Sequence, residues 1–144
     1  MPVERFNLIL SVYVLLRRDN QILLLRRKNT GFEDGNYGLV AGHVDGNEAS
    51  SVAMQREALE EAGIIISSDN LRFVHFMHRS GADERADVFF EAWDWDGEVL
   101  NKEPDKCDDL SWFDIDDLPA NTIPYIRRVI ELYTAKVIYS QWGW

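Results

Sequence analysis

From Leu8 to Arg17 the chain is apolar and rich in β-branched and aromatic side chains, and a second apolar run, Gln21 to Arg27, follows the turn-like pair Asp19-Asn20. Two such runs joined by a polar dipeptide predict a pair of strands forming a hairpin. Residues 29 to 38 carry Gly31, Gly35 and Gly38 among Asn and Asp and read as an exposed loop, with a short strand at Leu39 to Ala41 after it. Asn47 stands where it can cap a helix over Glu48 to Ala62, and Gly63 occupies the position that favours a left-handed C-terminal cap. On that helix Val52, Leu59 and Ala62 are expected to face a core. Leu71 to Arg79 and Ala86 to Trp95 read as strands separated by the polar stretch 80–85, and Leu110 to Phe113 as one more. Ile123, Ile126, Val129, Ile130, Tyr133 and Val137 recur at helical spacing, which predicts a closing helix over Ile123 to Ile138 with Pro124 in its first turn. Strands with two helices on separate sides predict an α/β (α+β) class, an α/β sandwich on a mixed sheet. No repeat or Pro/Gly/Ser-rich linker divides the chain, so residues 1–144 read as one domain.

Composition narrows the function classes. Hydrophobic residues make up 46% of the 144, enough for a real core, which rules out a disordered chain. No run reaches the roughly 20 apolar residues of a bilayer crossing, and the start lacks the pattern of a secretory signal. With Cys107 as the single cysteine, no intrachain disulfide can form; the expected location is the cytoplasm. The net charge of −10 has the wrong sign for gripping a nucleic-acid polymer, so neither such a polymer nor a membrane is an expected partner. The charge is uneven: residues 1 to 28 hold six Lys/Arg, whereas residues 94 to 117 hold ten Asp/Glu. A phosphate-bearing small molecule still fits such a protein if a cation stands between carboxylate and phosphate. The terminal Gln141-Trp142-Gly143-Trp144 is expected to pack on its own domain or on a twofold mate, leaving monomer and homodimer both open.

The chemistry concentrates on the first helix. Glu57, Glu60 and Glu61 stand at i, i+3 and i+4, within a 100° arc at 100° per residue. Like charges so placed cost a few tenths of a kcal/mol per pair on an exposed helix, and more when partly buried. They read either as a solvated helix surface or as a cluster for a hard divalent cation; magnesium, bound by a few carboxylates and substrate phosphates, suits an open cluster.

Around the triplet, Gly42, Glu48, Arg56, Glu57, Ala58, Glu60, Glu61, Gly63 and Ile64 fill nine defined positions of the Nudix box, residues 42–64. The chain thereby resembles the Nudix hydrolase superfamily, and the order of strands is similar from end to end. The resemblance implies a Nudix-type α/β/α sandwich whose loop-helix-loop binds Mg2+ or Mn2+ and hydrolyses a nucleoside diphosphate linked to another group. It implies Glu57 and Glu61 as metal ligands and Glu60 as a further ligand or a partner of metal-bound water. It also implies Arg56 orienting the glutamates, Glu48 as the counterpart of Arg56, Gly42 permitting a tight entry, and the Ala41 carbonyl as a backbone ligand. Bound metal in such enzymes activates water and neutralises the diphosphate.

The chain departs from the family just before the box, where Val40 and Ala41 replace a frequent Pro-Gly. The stretch from Asn101 to Cys107 resembles the region of MutT-type nucleoside triphosphate pyrophosphohydrolases where a late glutamate reaches the metal, which makes Glu103 a candidate. By the same resemblance Arg27, preferred over Arg26, would hold phosphate and Asn121 would read a base, unless the register brings Thr122 there; His43, at a variable position of the box, would face phosphate. Positions 79 to 82 lack the Pro and Tyr that mark ADP-ribose and dinucleoside polyphosphate hydrolases. A nucleoside triphosphate, split into monophosphate and pyrophosphate in nucleotide-pool sanitising, is the favoured substrate; a nucleotide sugar, ADP-ribose or other diphosphate-linked compound, or a non-catalytic nucleotide-binding module, are the alternatives.

Overall fold

In the computed structural model, which describes residues 2–144, the first apolar run folds as β1 (Ile9–Arg18) and turns back through Asp19 into β2 (Gln21–Arg27). Asp19 takes φ 52°, a left-handed conformation that a short polar side chain tolerates. Then come β3 (Tyr37–Gly38), β4 (Val40–His43), α1 (Ser50–Ala62), β5 (Arg72–Ser80), β6 (Glu84–Ala92), β7 (Cys107–Asp114), α2 (Pro124–Thr134) and β8 (Tyr139–Trp142). One edge of β1 pairs with β6 in parallel from Ile9 to Leu16. Its other edge is divided: residues 11–14 take β4 and residues 17–18 take β2, both antiparallel. β2 also pairs with β3 and β7, so residues 37–43 cross from β2 to β1 where those two strands part. β5 lies antiparallel to β6 and parallel to β8, which makes the sheet mixed, as expected.

Both faces of β1 are buried, which is why its sequence is a continuous apolar run and not an alternating one. Val12, Val14 and Leu16 pack with Ala53, Met54, Ala58 and Ala62 of α1, whereas Tyr13 and Leu15 pack with Met77, Phe89 and Ile126, Val129 and Ile130 of α2. The two helices thus cover opposite faces. No helix among the described residues is long and apolar enough to cross a membrane.

Three expectations are corrected. Asn47 does not cap α1: it sits at φ 62°, Ala49 is the capping residue without a side-chain bond, and the helix begins at Ser50. The reason lies in Glu48, which accepts from the Asp45 N–H and from Arg56 and so holds residues 45–48 in a turn ahead of the helix. Val52 and Leu59 are half exposed, and the packed side is Ala53, Met54, Ala58 and Ala62. Small side chains let α1 lie close to β1 and β4, a packing that larger residues would hold off. The closing helix stops at Thr134, because Lys136 turns left-handed at φ 61° and Val137 N–H bonds back to Leu132 O. The β-branched pair after it leads into β8, and Val137 is 40% exposed rather than core. Gly63 does close α1 as expected, at φ 69° with its N–H on Leu59 O.

Candidate active site

On a wheel at 100° per residue, Glu57 and Glu61 fall between Ala53 and Ala58, on the packed side of α1. Alanines in the turns around them leave room for both carboxylates to turn inward against β4. The approach is close: a Cβ on Gly42 would lie 2.1 Å from Glu57 Cδ and 2.3 Å from its Oε1. Any side chain at 42 would displace the carboxylate, which gives a steric reason for glycine there. One residue earlier the Ala41 N–H donates to Glu61 Oε2 at 3.1 Å. Val40, in place of proline, lies within β4 opposite Val14, so the substitution is absorbed as regular strand.

Arg56 ties the loop to the helix. Its Nε and Nη2 donate to the two oxygens of Glu48 at 2.9 and 3.1 Å, Nη1 donates to Glu57 Oε1 at 2.8 Å, and Nη2 also reaches His43 O at 3.1 Å. Glu60 lies farther out, 54% exposed, with its Oε2 3.5 Å from Arg56. The glutamates are therefore unequal: Glu57 and Glu61 are held inside, and Glu60 stands at the rim. Burial pushes the Glu57 carboxyl up despite Arg56. It pushes Glu61 well above the ordinary carboxylate range, with the charges of Glu57 and Glu103 adding to the effect and the Ala41 N–H opposing it.

These side chains line one end of a cleft of about 640 Å3 that lies where β1 and β2 part. Arg27, Ala41, Gly42, His43, Glu57, Glu60, Glu61 and Glu103 all border it. Arg27 Nε is fixed on Phe32 O at 2.7 Å, and the residue lines the cleft. The neighbouring Arg26 pairs with Asp108 at 2.7 Å; the register shift of the β2–β7 ladder falls between the two arginines. Glu103 is 3.8 Å from Lys106, and its carbonyl is fixed by the N–H groups of Lys106 and Cys107. His43 Nε2 meets Arg85 Nη1 at 2.8 Å. Asn121 is not brought into the cleft: its Nδ2 donates to Gly35 O at 2.8 Å and its carbonyl takes the Tyr37 N–H, so it fastens the 29–36 loop.

The donor set is oxygen-rich and suits a hard cation. Two desolvated carboxylates repel each other with a third bearing on both, and a divalent ion would relieve that repulsion. Among the described residues no three His, Cys, Asp or Glu side chains are already gathered as a ligand group, since Glu57 leans on Arg56 and Glu61 on Ala41.

The other end of the cleft was not legible in the sequence. Ser11, Tyr13, Arg79 and Tyr125 line it, with Asp87 buried beneath. Arg79 Nε donates to Asp87 Oδ2 at 2.7 Å, Tyr13 OH donates to Asp87 Oδ1 at 3.1 Å, and the two tyrosine hydroxyls lie 3.1 Å apart. One signal was available: alternation along β5 puts His75, Met77 and Arg79 on a single buried face.

A mixed sheet between two helices, with a loop-helix-loop that turns carboxylates into a cleft, defines an α/β/α sandwich with a candidate cation site. The chain belongs to the NUDIX domain family, whose model matches residues 7–133, and members of this family generally use divalent metal ions. It is 32% identical over 136 residues to the NAD-capped RNA hydrolase NudC of Stutzerimonas stutzeri, covering 88% of this chain and 44% of that one. The NAD-capped RNA hydrolase NudC of Escherichia coli (strain SMS-3-5 / SECEC) is 32% identical over 122 residues, covering 83% and 45%. The chain thus spans less than half the length of these curated relatives. The crystal structure of a MutT NUDIX hydrolase from Burkholderia pseudomallei superposes with a TM-score of 0.81 at 29% identity, covering 88% of this chain and 98% of that one.

Proposed function

We propose that residues 1–144 act as one Nudix domain, a pyrophosphohydrolase that uses Mg2+ or Mn2+ to cleave the diphosphate of a nucleoside diphosphate linked to another group. The observation that carries this reading is the pair of desolvated glutamates, Glu57 and Glu61, turned against Gly42 and Ala41 at the same cleft as Arg27 and Glu103. Glu57, Glu61, Glu103 and the Ala41 carbonyl would hold the ion, which supplies charge neutralisation for the diphosphate and acidifies a water molecule. Glu60, at the rim with only a 3.5 Å contact to Arg56, is free to take a proton from water or to complete the ligand set. Arg56 orients Glu57 and opposes the effect of its burial. Arg27 and His43, both lining the cleft, would bind the phosphates.

The first substrate reading is a nucleoside triphosphate split into monophosphate and pyrophosphate, in keeping with the MutT hydrolase of similar fold, in the cytoplasm. A second reading, a diphosphate joining two nucleosides, is favoured by the two NudC relatives, which are named for hydrolysis of NAD-capped RNA. A product-resolved panel with magnesium separates them: ordinary and oxidised nucleoside triphosphates, ADP-ribose, nucleotide sugars, dinucleoside polyphosphates and NAD, with Glu57→Gln as the blank. Pyrophosphate with a monophosphate identifies the first reading, and two monophosphates from NAD the second. Turnover equal in Glu57→Gln and wild type would overturn the site.

A further inference from the structure

The end of the cleft away from the glutamates is built around a buried ion pair that is already neutral. Both oxygens of Asp87 are taken, one by Arg79 Nε and one by the Tyr13 hydroxyl. Arg79 lies 4.0 Å over the Tyr125 ring, and its Nη2 reaches the Tyr13 oxygen at 3.4 Å, yet its Nη1 has no partner among the described residues. Opposite Asp87 in the β1–β6 ladder, Ser11 has a buried Oγ with no hydrogen-bond partner, although the residue lines the cleft. Burial pushes the Tyr13 hydroxyl well above its ordinary range and that of Tyr125 up, so both stay protonated and neutral at any physiological pH. Tyr13 stands opposite Ala41 in the β1–β4 ladder, one strand away from the N–H that holds Glu61.

We infer that Ser11, Arg79 and Tyr125 read the base of the nucleotide, and select a lactam edge, a ring carbonyl beside a ring N–H, as in hypoxanthine, guanine or uracil. This inference rests on the Nudix reading for the placement of the phosphates. An arginine nitrogen is a donor and nothing else, so the fixed element of this floor demands an acceptor from its ligand. Ser11 and Tyr125 oxygens are there to accept the neighbouring N–H. An adenine or cytosine edge offers the arginine only a ring nitrogen with a single lone pair, and in that pose its amino donor is turned toward the remaining N–H groups of the guanidinium, whereas a lactam oxygen has two lone pairs for the fork. A phosphate is a poor alternative occupant, because Asp87 cancels the charge of Arg79 at 2.7 Å.

The test is equilibrium binding of two matched pairs that differ only at this edge, inosine monophosphate against adenosine monophosphate and uridine monophosphate against cytidine monophosphate. None contains an anhydride to be cleaved, so calorimetric titration reads binding alone. Wild type is expected to favour the lactam member of each pair by about tenfold, the worth of one hydrogen bond. Ser11→Ala is expected to cut that preference severalfold while its melting temperature holds or rises, since the hydroxyl removed has no partner in the free protein. Arg79→Lys, which keeps a charge for Asp87 but removes the forked donor, is expected to abolish the preference. Equal binding within both pairs in wild type overturns the proposal, as does a preference that both variants retain. The outcome separates from the hydrolysis panel: turnover without lactam preference removes this inference and leaves the enzyme, and lactam preference without turnover does the reverse.

Discussion

Each end of the cleft carries buried charge, and the two ends handle it in opposite ways. At one end Glu57 and Glu61 sit in low-dielectric surroundings beside Glu103, with one arginine and one backbone N–H between them. At the other, Arg79 and Asp87 are almost wholly enclosed, 10% and 0% exposed, and every oxygen of the acid is bonded. A buried acid whose repulsion is left uncompensated is a place prepared for something the chain does not itself contain. A buried acid that is fully compensated holds other groups in place. One part of the molecule carries buried charge that a cation would balance, and the other carries buried charge that its own residues already balance.

Mutation can break the comparison if it is wrong. The largest effect expected is on turnover: Glu57→Gln should lower kcat by on the order of 10³-fold, with no comparable loss of melting temperature. If it unfolds the protein instead, the acid end is structural. Asp87→Ala should do the converse, costing about 3–5 kcal/mol of stability by stranding Arg79 without its partner, measured by denaturant unfolding. A loss under about 1 kcal/mol, the range of a surface pair, would mean that the neutral end is not sealed. Glu103→Gln, farther from the inner pair, should raise the magnesium concentration needed for half-maximal rate by about tenfold, and an unchanged magnesium profile would return Glu103 to an ordinary loop.

The smallest effect concerns a third buried group outside the cleft. His75 is wholly enclosed, its ring nitrogens on Val137 O and Ser140 Oγ, each at 2.7 Å, and burial lowers its pKa below the ordinary 6.5. In the window between the lowered folded value and 6.5 the unfolded chain binds more protons, so stability present above that window is lost as pH falls through it. Melting temperature followed from pH 7.5 down to 5.5 should fall less in His75→Gln than in wild type; parallel curves would exclude the histidine as the cause.

Much of this was legible in the residues, and what was not has physical reasons. The hairpin of β1 and β2, the position of α1 and the closure at Gly63 follow from local patterns and one special backbone angle. The orientation of α1 did not, because a reading that weighs large apolar side chains takes Val52 and Leu59 for the core. Here the sheet needed alanines, and the glutamates occupy the space that alanines leave. β8 was hidden because Val137 continues the helical spacing of α2, and only the backbone turn at Lys136 ends it. The Asp87 cluster was least legible of all: Tyr13, Arg79, Asp87 and Tyr125 come from four elements, and nothing local in any of them reports on the others. Asn121 shows the opposite error, a residue near the expected place in sequence whose side chain is committed to holding a loop.

The parallel pairing of β5 with β8, with Phe76 opposite Tyr139 and Arg79 opposite Trp142, bears on the order in which the molecule is made. Residues 41 to 61 lie within one continuous stretch, so the loop and helix that carry the glutamates can associate with β1 as soon as that stretch has left the ribosome. Tyr125 and β8 arrive some 60 or more residues later, and contacts of such separation form late. A nascent chain therefore places its acidic end before Tyr125 and β8 can close the other end of the cleft.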